Sequence, residues 1–368
     1  MRLASDWIGA DVSAVLQLKN VHRSYAGVPA LAGIDATLPN DAYVSLLGPS
    51  GSGKTTLLRV IAGFEPADGG QILFAGRRID GVPPHQRGIG FVFQNFALFP
   101  HLSVRQNIAF GLESRVVDPV TDVKIVAGRV RDMIALVGLA GLEDRAITQI
   151  SGGQKQRVAL ARTLVTEPSM VLLDEPLGAL DANLRTRMRG ELRKIRERCG
   201  VTFLHVTGSE TEALAMGDTV LVLDRGRIAQ SADAGTLYSR PASPDVARFL
   251  NCFNIFSGEL ADDAFVSPVG RLALGDARQP SAKPAYAIRY DRVSIRPKDA
   301  APAGDEVRIE GSFVASEYSG AAINSFFALD DGRVFEVETH LSHAAPENYE
   351  ERGRYALVWK KEDSLVFA

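Results

Sequence analysis

The sequence lacks cysteine-rich patterning, long apolar runs and any large excess of charge of one sign. Of its 368 residues only Cys199 and Cys252 are cysteines. Their spacing fits no zinc motif, which argues against a disulfide scaffold or a cysteine-bound metal and leads us to expect reduced thiols. No apolar stretch approaches the roughly 18 to 20 residues of a membrane span, so if a membrane is involved another chain crosses it. The opening Met1-Arg-Leu-Ala-Ser-Asp-Trp7 has no apolar core of a secretory signal, and a cytoplasmic location is expected. Basic runs interleaved with aromatics are missing too, so nucleic acid is not an expected partner. A formal charge of -3, with 46% hydrophobic and 23% charged residues, suits an ordinary globular protein long enough for more than one domain.

What the sequence has is a phosphate-binding loop. Gly48-Pro49-Ser50-Gly51-Ser52-Gly53-Lys54-Thr55 fits G-x-x-x-x-G-K-[ST] without a mismatch. It follows the apolar run Tyr43–Leu47 and precedes a helical stretch, Thr55 to Ala62, which begins Thr55-Thr56. Strand, loop and helix are the context that the mechanism requires. The glycines let backbone amides turn toward phosphate oxygens, and the helix adds the positive end of its dipole. Lys54 then reaches the β and γ phosphates of ATP, and the Thr55 hydroxyl is placed to ligate Mg2+.

A second run, Met170 to Leu173, reads as a buried strand that ends in Asp174-Glu175. Ligands of parallel sheets collect beyond the carboxyl ends of the strands. Asp174 can therefore serve the Mg2+ shell, and Glu175 can orient and deprotonate the attacking water. Upstream of this pair stands Ile150-Ser151-Gly152-Gly153-Gln154, in which Ser151 is suited to cap a helix from about Gln154 to Leu164 and expose an anion-binding N-terminus.

The three motifs together resemble the ATP-binding cassette ATPases. The resemblance implies an α/β P-loop domain with a helical subdomain, and an ATP sandwiched between the loop Gly48–Thr55 of one subunit and Ser151–Gln154 of another. Further positions carry over from the family's pattern. Tyr25 matches the aromatic that stacks on adenine, and Gln94 matches the glutamine that touches Mg2+ and water and senses a membrane partner. Leu177-Gly178-Ala-Leu-Asp181 matches the loop that crosses the dimer interface, with Asp181 as its binding residue and Gly178 where serine is frequent.

One position breaks the pattern. Where the family reads Val-Thr-His-Asp, this chain reads Val206-Thr207-Gly208-Ser209. Glycine cannot contact the transferring phosphoryl group, and losing one preorganised contact of that kind costs on the order of 100- to 1000-fold in turnover. His205 lies an odd number of positions away along a strand, so its ring is expected on the opposite face of the sheet. Three outcomes stay open: slowed hydrolysis through Glu175 and a water or another group, a degenerate site beside a competent partner subunit, or an ATP-gated clamp.

The expected organisation is an extension over residues 1–15, an ATP-binding domain over 16–250 with a helix-rich insertion at about 96–163, a linker over 251–284, and an all-β OB-like domain over 285–368. This last part resembles the small regulatory (TOBE-like) domain of bacterial importer ATPases through Ala287-Ile-Arg289, Ile295-Arg296-Pro297, Tyr318-Ser-Gly320 and Trp359. Phe96 to Val104 and Asn107 to Leu112 resemble the polyamine, iron(III), sulfate and sugar group, with a lean toward polyamine. Membership of that group implies a separate membrane permease, an external solute-binding protein acting through it, a homodimer or heterodimer of ATPase subunits, and a peripheral place on the cytoplasmic face of the membrane. A soluble ATP-dependent regulator is the alternative of a different class.

Overall fold

Why the site residues meet is decided by one six-stranded sheet. The structure, a computed structural model, describes residues 14–116, 119–275, 278–342 and 348–368. The expected extension falls outside these except for Ala14 and Val15, which open the strand Ala14–Tyr25. The chain divides into two units between Leu237 and Tyr238, whereas the sequence reading set its boundary at 250.

In the first unit the central sheet has the order Arg227–Ala232, Thr219–Asp224, Tyr43–Leu47, Thr202–Thr207, Met170–Asp174, Ile89–Val92. All neighbours run parallel except the edge pair Arg227–Ala232 and Thr219–Asp224. The strands Tyr43–Leu47, Met170–Asp174 and Thr202–Thr207 are buried along their whole length, as expected of sheet covered on both faces. One apolar layer packs the helices Val104–Glu113, Val123–Leu136 and Gly152–Leu164 against it. The other layer carries the helix Lys54–Ala62 and a four-stranded antiparallel sheet that includes Ala14–Tyr25, Val28–Pro39 and Gly69–Phe74.

The second unit is β-rich. Its largest sheet joins Ser294–Pro297, Arg354–Lys360, Glu306–Tyr318, Ala322–Ala328 and Val334–His340 in that order. The turn pair Asp331-Gly332 closes the hairpin between the last two, with the Gly332 amide donating to the Leu329 carbonyl. Trp359 is buried, and its indole N–H donates to the Tyr286 hydroxyl at 2.9 Å, which satisfies the polar atom that an interior tryptophan must place.

The segment 251–284, expected as a linker, instead carries the strands Phe253–Ser257, Glu259–Leu260, Ala264–Ser267, Gly270–Ala273 and Arg278–Gln279. Its Ala, Gly, Asp and Pro content is loop-like, but Phe256, Phe265 and Leu272 are spaced to enter the β core, and burying them outweighs weak local propensity. Among the described residues no helix is long and apolar enough to cross a membrane.

Candidate functional site: a phosphate cradle at the carboxyl edge of the sheet

Strand order converts four distant motifs into one line. The carboxyl ends of adjacent parallel strands deliver, in sequence across the sheet, the loop Gly48–Thr55, then Gly208, then Asp174-Glu175, then Gln94. Strand-end placement is the general location of ligand sites in such sheets.

The loop is shaped for an anion. Gly53 caps the helix Lys54–Ala62 with φ 104°, a left-handed conformation in which a side chain is disfavoured, and a Cβ there would stand 2.4 Å from the Ala30 carbonyl. At Gly48 a Cβ would meet the Leu223 carbonyl at 2.2 Å. No side chain caps this helix, so its N-terminus faces the loop with donors to spare. Lys54 is buried, and its ammonium donates to the carbonyls of Gly48 at 2.8 Å and Pro49 at 3.0 Å. Burial lowers its pKa, opposed by the carboxylates of Glu175 and Asp174. Ser52 is buried with its hydroxyl unpaired by any protein group. A buried cation, bare amides and an orphaned hydroxyl in one loop fit a polyphosphate. Pro49, Ser50 and Gly51 form the mouth of that loop, and Thr55 and Thr56 the first turn of its helix.

Asp174 ends its strand almost completely buried. Burial, then the neighbouring Glu175 charge, raises its pKa, while Arg59, a hydrogen bond from Thr55 and Lys54 act the other way. A carboxylate held against a hydroxyl beside a phosphate cradle is a hard-oxygen donor set of the kind that Mg2+ takes, usually with water and phosphate oxygens completing the shell. Glu175 follows with φ 43°, uncommon for a residue with a Cβ, and its amide donates to the Val206 carbonyl at 3.0 Å. The Gln94 amide group donates to Glu175 Oε2 at 3.0 Å, so the structure brings these two together.

Tyr25 stands 42% exposed, with the Arg23 guanidinium over its ring at 4.9 Å and its hydroxyl donating to Glu65. The ring is thereby held at the surface with the Arg23 guanidinium over it. Ser151 forms a full capping box with Gln154: the Gln154 amide donates to the Ser151 hydroxyl at 3.3 Å and the Ser151 amide to Gln154 Oε1 at 2.8 Å. Ser151 is the cap, as expected, and the helix starts directly after it at Gly152, two residues earlier than expected. Asp181 caps the helix Ala182–Cys199 by accepting from the Leu184 amide at 2.9 Å.

Gly208 is exposed just beyond its strand, and a Cβ built on it meets nothing within 4 Å. His205 points elsewhere: it is fully buried, with Nδ1 3.0 Å from the Tyr43 hydroxyl. Burial pushes its pKa down to about 3, so the folded ring is neutral while the unfolded chain binds a proton near pH 6.5. As pH falls below 6.5, His205 is therefore expected to remove up to about 1.4 kcal/mol of stability per pH unit. His205→Gln should flatten the loss between pH 6.5 and 5 in denaturant titrations, and an unchanged slope would contradict a buried neutral ring.

Two residues to which the sequence motifs give no role also shape the site. Arg162 donates to the carbonyls of Phe96 at 2.9 Å and Ala97 at 2.7 Å, both in left-handed backbone. Asn107, wholly buried, accepts from the Phe99 amide at 2.9 Å and donates to the Phe99, Leu102 and Ser103 carbonyls. Together they fix the loop that follows Gln94. The available signal was a polar residue on an otherwise apolar helix face.

Residues 31–178 match the family described as ABC transporter. The spermidine/putrescine import ATP-binding protein PotA of Clostridium novyi is 42% identical over 287 residues, 77% of this chain and 82% of that protein. The sulfate/thiosulfate import ATP-binding protein CysA of Xanthomonas campestris pv. campestris is 43% identical over 290 residues, 79% and 82% of the two chains. Among solved structures, a dimeric ATP-binding cassette bound to ADP and Pi in a post-hydrolysis state is similar with TM-score 0.53 and 28% identity, covering 60% of this chain and 98% of that one. The cbiO1 protein of Clostridium perfringens, part of an ABC transporter complex, gives TM-score 0.57 and 28% identity, covering 65% and 95%.

Proposed function

This chain belongs to the ABC transporter ATPase family, and from that premise we propose that it is the energy-coupling subunit of an importer, closing as a dimer on ATP to drive a separate permease. The observation that carries the reading is the alignment of the Gly48–Thr55 cradle, Asp174-Glu175 and Gln94 along one sheet edge. Lys54 and the loop amides hold the phosphates of ATP, and Tyr25 stacks on the base. Thr55, Asp174 and Gln94 would hold Mg2+, which when bound neutralises phosphate charge as it develops. Glu175, oriented by Gln94, takes the proton of the attacking water.

In the dimer, the amides of Gly152 and Gly153 beyond the Ser151–Gln154 capping box face the γ-phosphate bound to the other copy, and Asp181 lines the same seam. The loop after Gln94 receives the permease, so closure on ATP moves the membrane partner and hydrolysis reopens the pair. The C-terminal TOBE-like β unit is regulatory. The chain works at the cytoplasmic face of the membrane, and its solute is a polyamine or a related small ion, a choice supported by the spermidine/putrescine relatives and tempered by the sulfate one. Specificity itself would reside in the permease and the solute-binding protein.

Gly208 favours one variant of this reading, a heterodimer in which a partner ATPase supplies a histidine-bearing site. Co-expression with the permease subunits tests the main proposal. The chain should co-purify with them from membranes, and a solute-loaded binding protein should raise its ATP turnover. Turnover indifferent to permease and binding protein would favour a soluble ATP-dependent regulator instead.

A further inference from the structure

Gly208 joins the strand Thr202–Thr207 to the helix Glu210–Met216 through backbone that has no side chain of its own to anchor it. The residues on either side supply the anchors. The Thr207 hydroxyl donates to Glu212 Oε2 at 2.8 Å and accepts from the Ser209 amide at 3.0 Å. The Ser209 hydroxyl accepts in turn from the Glu212 amide at 3.3 Å. Glu212 is only 4% exposed, and an interior carboxylate holds its place only when donors or a cation compensate it.

The cation is Arg185, whose Nε lies 3.5 Å from Glu212 Oε1. Its Nη2 donates at 3.1 Å to the carbonyl of Leu180, the residue before Asp181. His205 Nε2 lies 3.9 Å from Glu212 on the third side, with its ring neutral, and contributes no charge. A continuous set of polar contacts thus runs from the loop Leu177–Asp181, through Arg185, Glu212 and Thr207, to the backbone flanking Gly208.

We propose that Arg185, Glu212 and Thr207 are positioning residues that carry the placement of the loop Leu177–Asp181 to the backbone at Gly208 and Ser209. The proposal rests on reading Leu177–Asp181 as the loop at the dimer seam. Its consequence is that closure at the seam is felt beside the γ-phosphate even where no histidine reaches it. In a site without that side chain, the position of the backbone and of any water it orders depends on this relay. The contacts above connect the two ends physically, which is the route along which such coupling is proposed to travel.

Hydrogen–deuterium exchange of the full-length chain over residues 206–212, read together with kcat and KM for ATP, tests it. Arg185→Met and Thr207→Val are each expected to speed exchange at the Ser209 amide by at least about tenfold, because each removes a support of the same local structure. Thr207→Ser keeps the hydroxyl and should keep the protection. The first two variants should lower kcat with little change in KM, a split that general loss of structure would not give. Unchanged Ser209 exchange in Arg185→Met overturns the relay, and so does identical behaviour of Thr207→Val and Thr207→Ser, the pair that decides if Arg185→Met does not fold. Exchange is read without turnover, so a chain that loosens as expected yet never hydrolyses ATP would sink the ATPase reading and leave the relay standing.

Discussion

Glu175→Gln is expected to lower steady-state ATP turnover at least about 100-fold while leaving ATP binding intact, the usual size of effect when a general base is removed. Glu175 stands at the end of the strand Met170–Asp174 with φ 43°. That backbone costs on the order of 1 to 3 kcal/mol and persists only where the surroundings enforce it. Here the Val206 carbonyl holds its amide and Gln94 holds its carboxylate. Glutamine has the same shape and can still pair with Gln94, so the substitution removes the basicity and little else. The variant should therefore accumulate as an ATP-bound dimer, detectable by sedimentation in the presence of ATP. Ser151→Arg added to it should abolish that dimer, because a long cation would displace the capping box that presents Gly152 and Gly153. Turnover in Glu175→Gln equal to that of the natural chain would move the base elsewhere.

The second large effect is expected from Gly208→His. Position 208 has room for a Cβ, its backbone lies outside the left-handed region, and Thr207 and Ser209 hold it from both sides. An imidazole placed there is expected to contact the transferring phosphoryl group, so kcat should rise by up to about 100-fold with KM for ATP little changed. Stopped-flow phosphate release measures it. An unaltered rate, combined with an inactive Glu175→Gln, would mean that a water or another group already performs the imidazole's task.

The parts of the candidate site were legible in the sequence because they are local. Gly48–Thr55 carries its own turn chemistry, Ser151 and Gln154 form a box within four residues, and Asp174-Glu175 closes an apolar run. Their assembly was legible as well, since strands bounded by such motifs belong to a parallel sheet whose ligands sit at one edge. The polar contacts between elements were not. Arg185 and Glu212 meet across two helices, and Arg162 reaches the Phe96 and Ala97 carbonyls 66 and 65 positions away along the chain. No sequence period encodes such distances. The stretch 251–284 misled for a different reason: its composition is that of a loop, and only the tertiary burial of Phe256, Phe265 and Leu272 makes it strand.

ATP turnover of the purified chain, alone and with its permease, tests most directly whether this site still hydrolyses ATP. Measurable hydrolysis by the natural sequence is expected, removed by Glu175→Gln and preserved or accelerated by Gly208→His. Silence from both the natural chain and Gly208→His in the presence of an intact permease would contradict it.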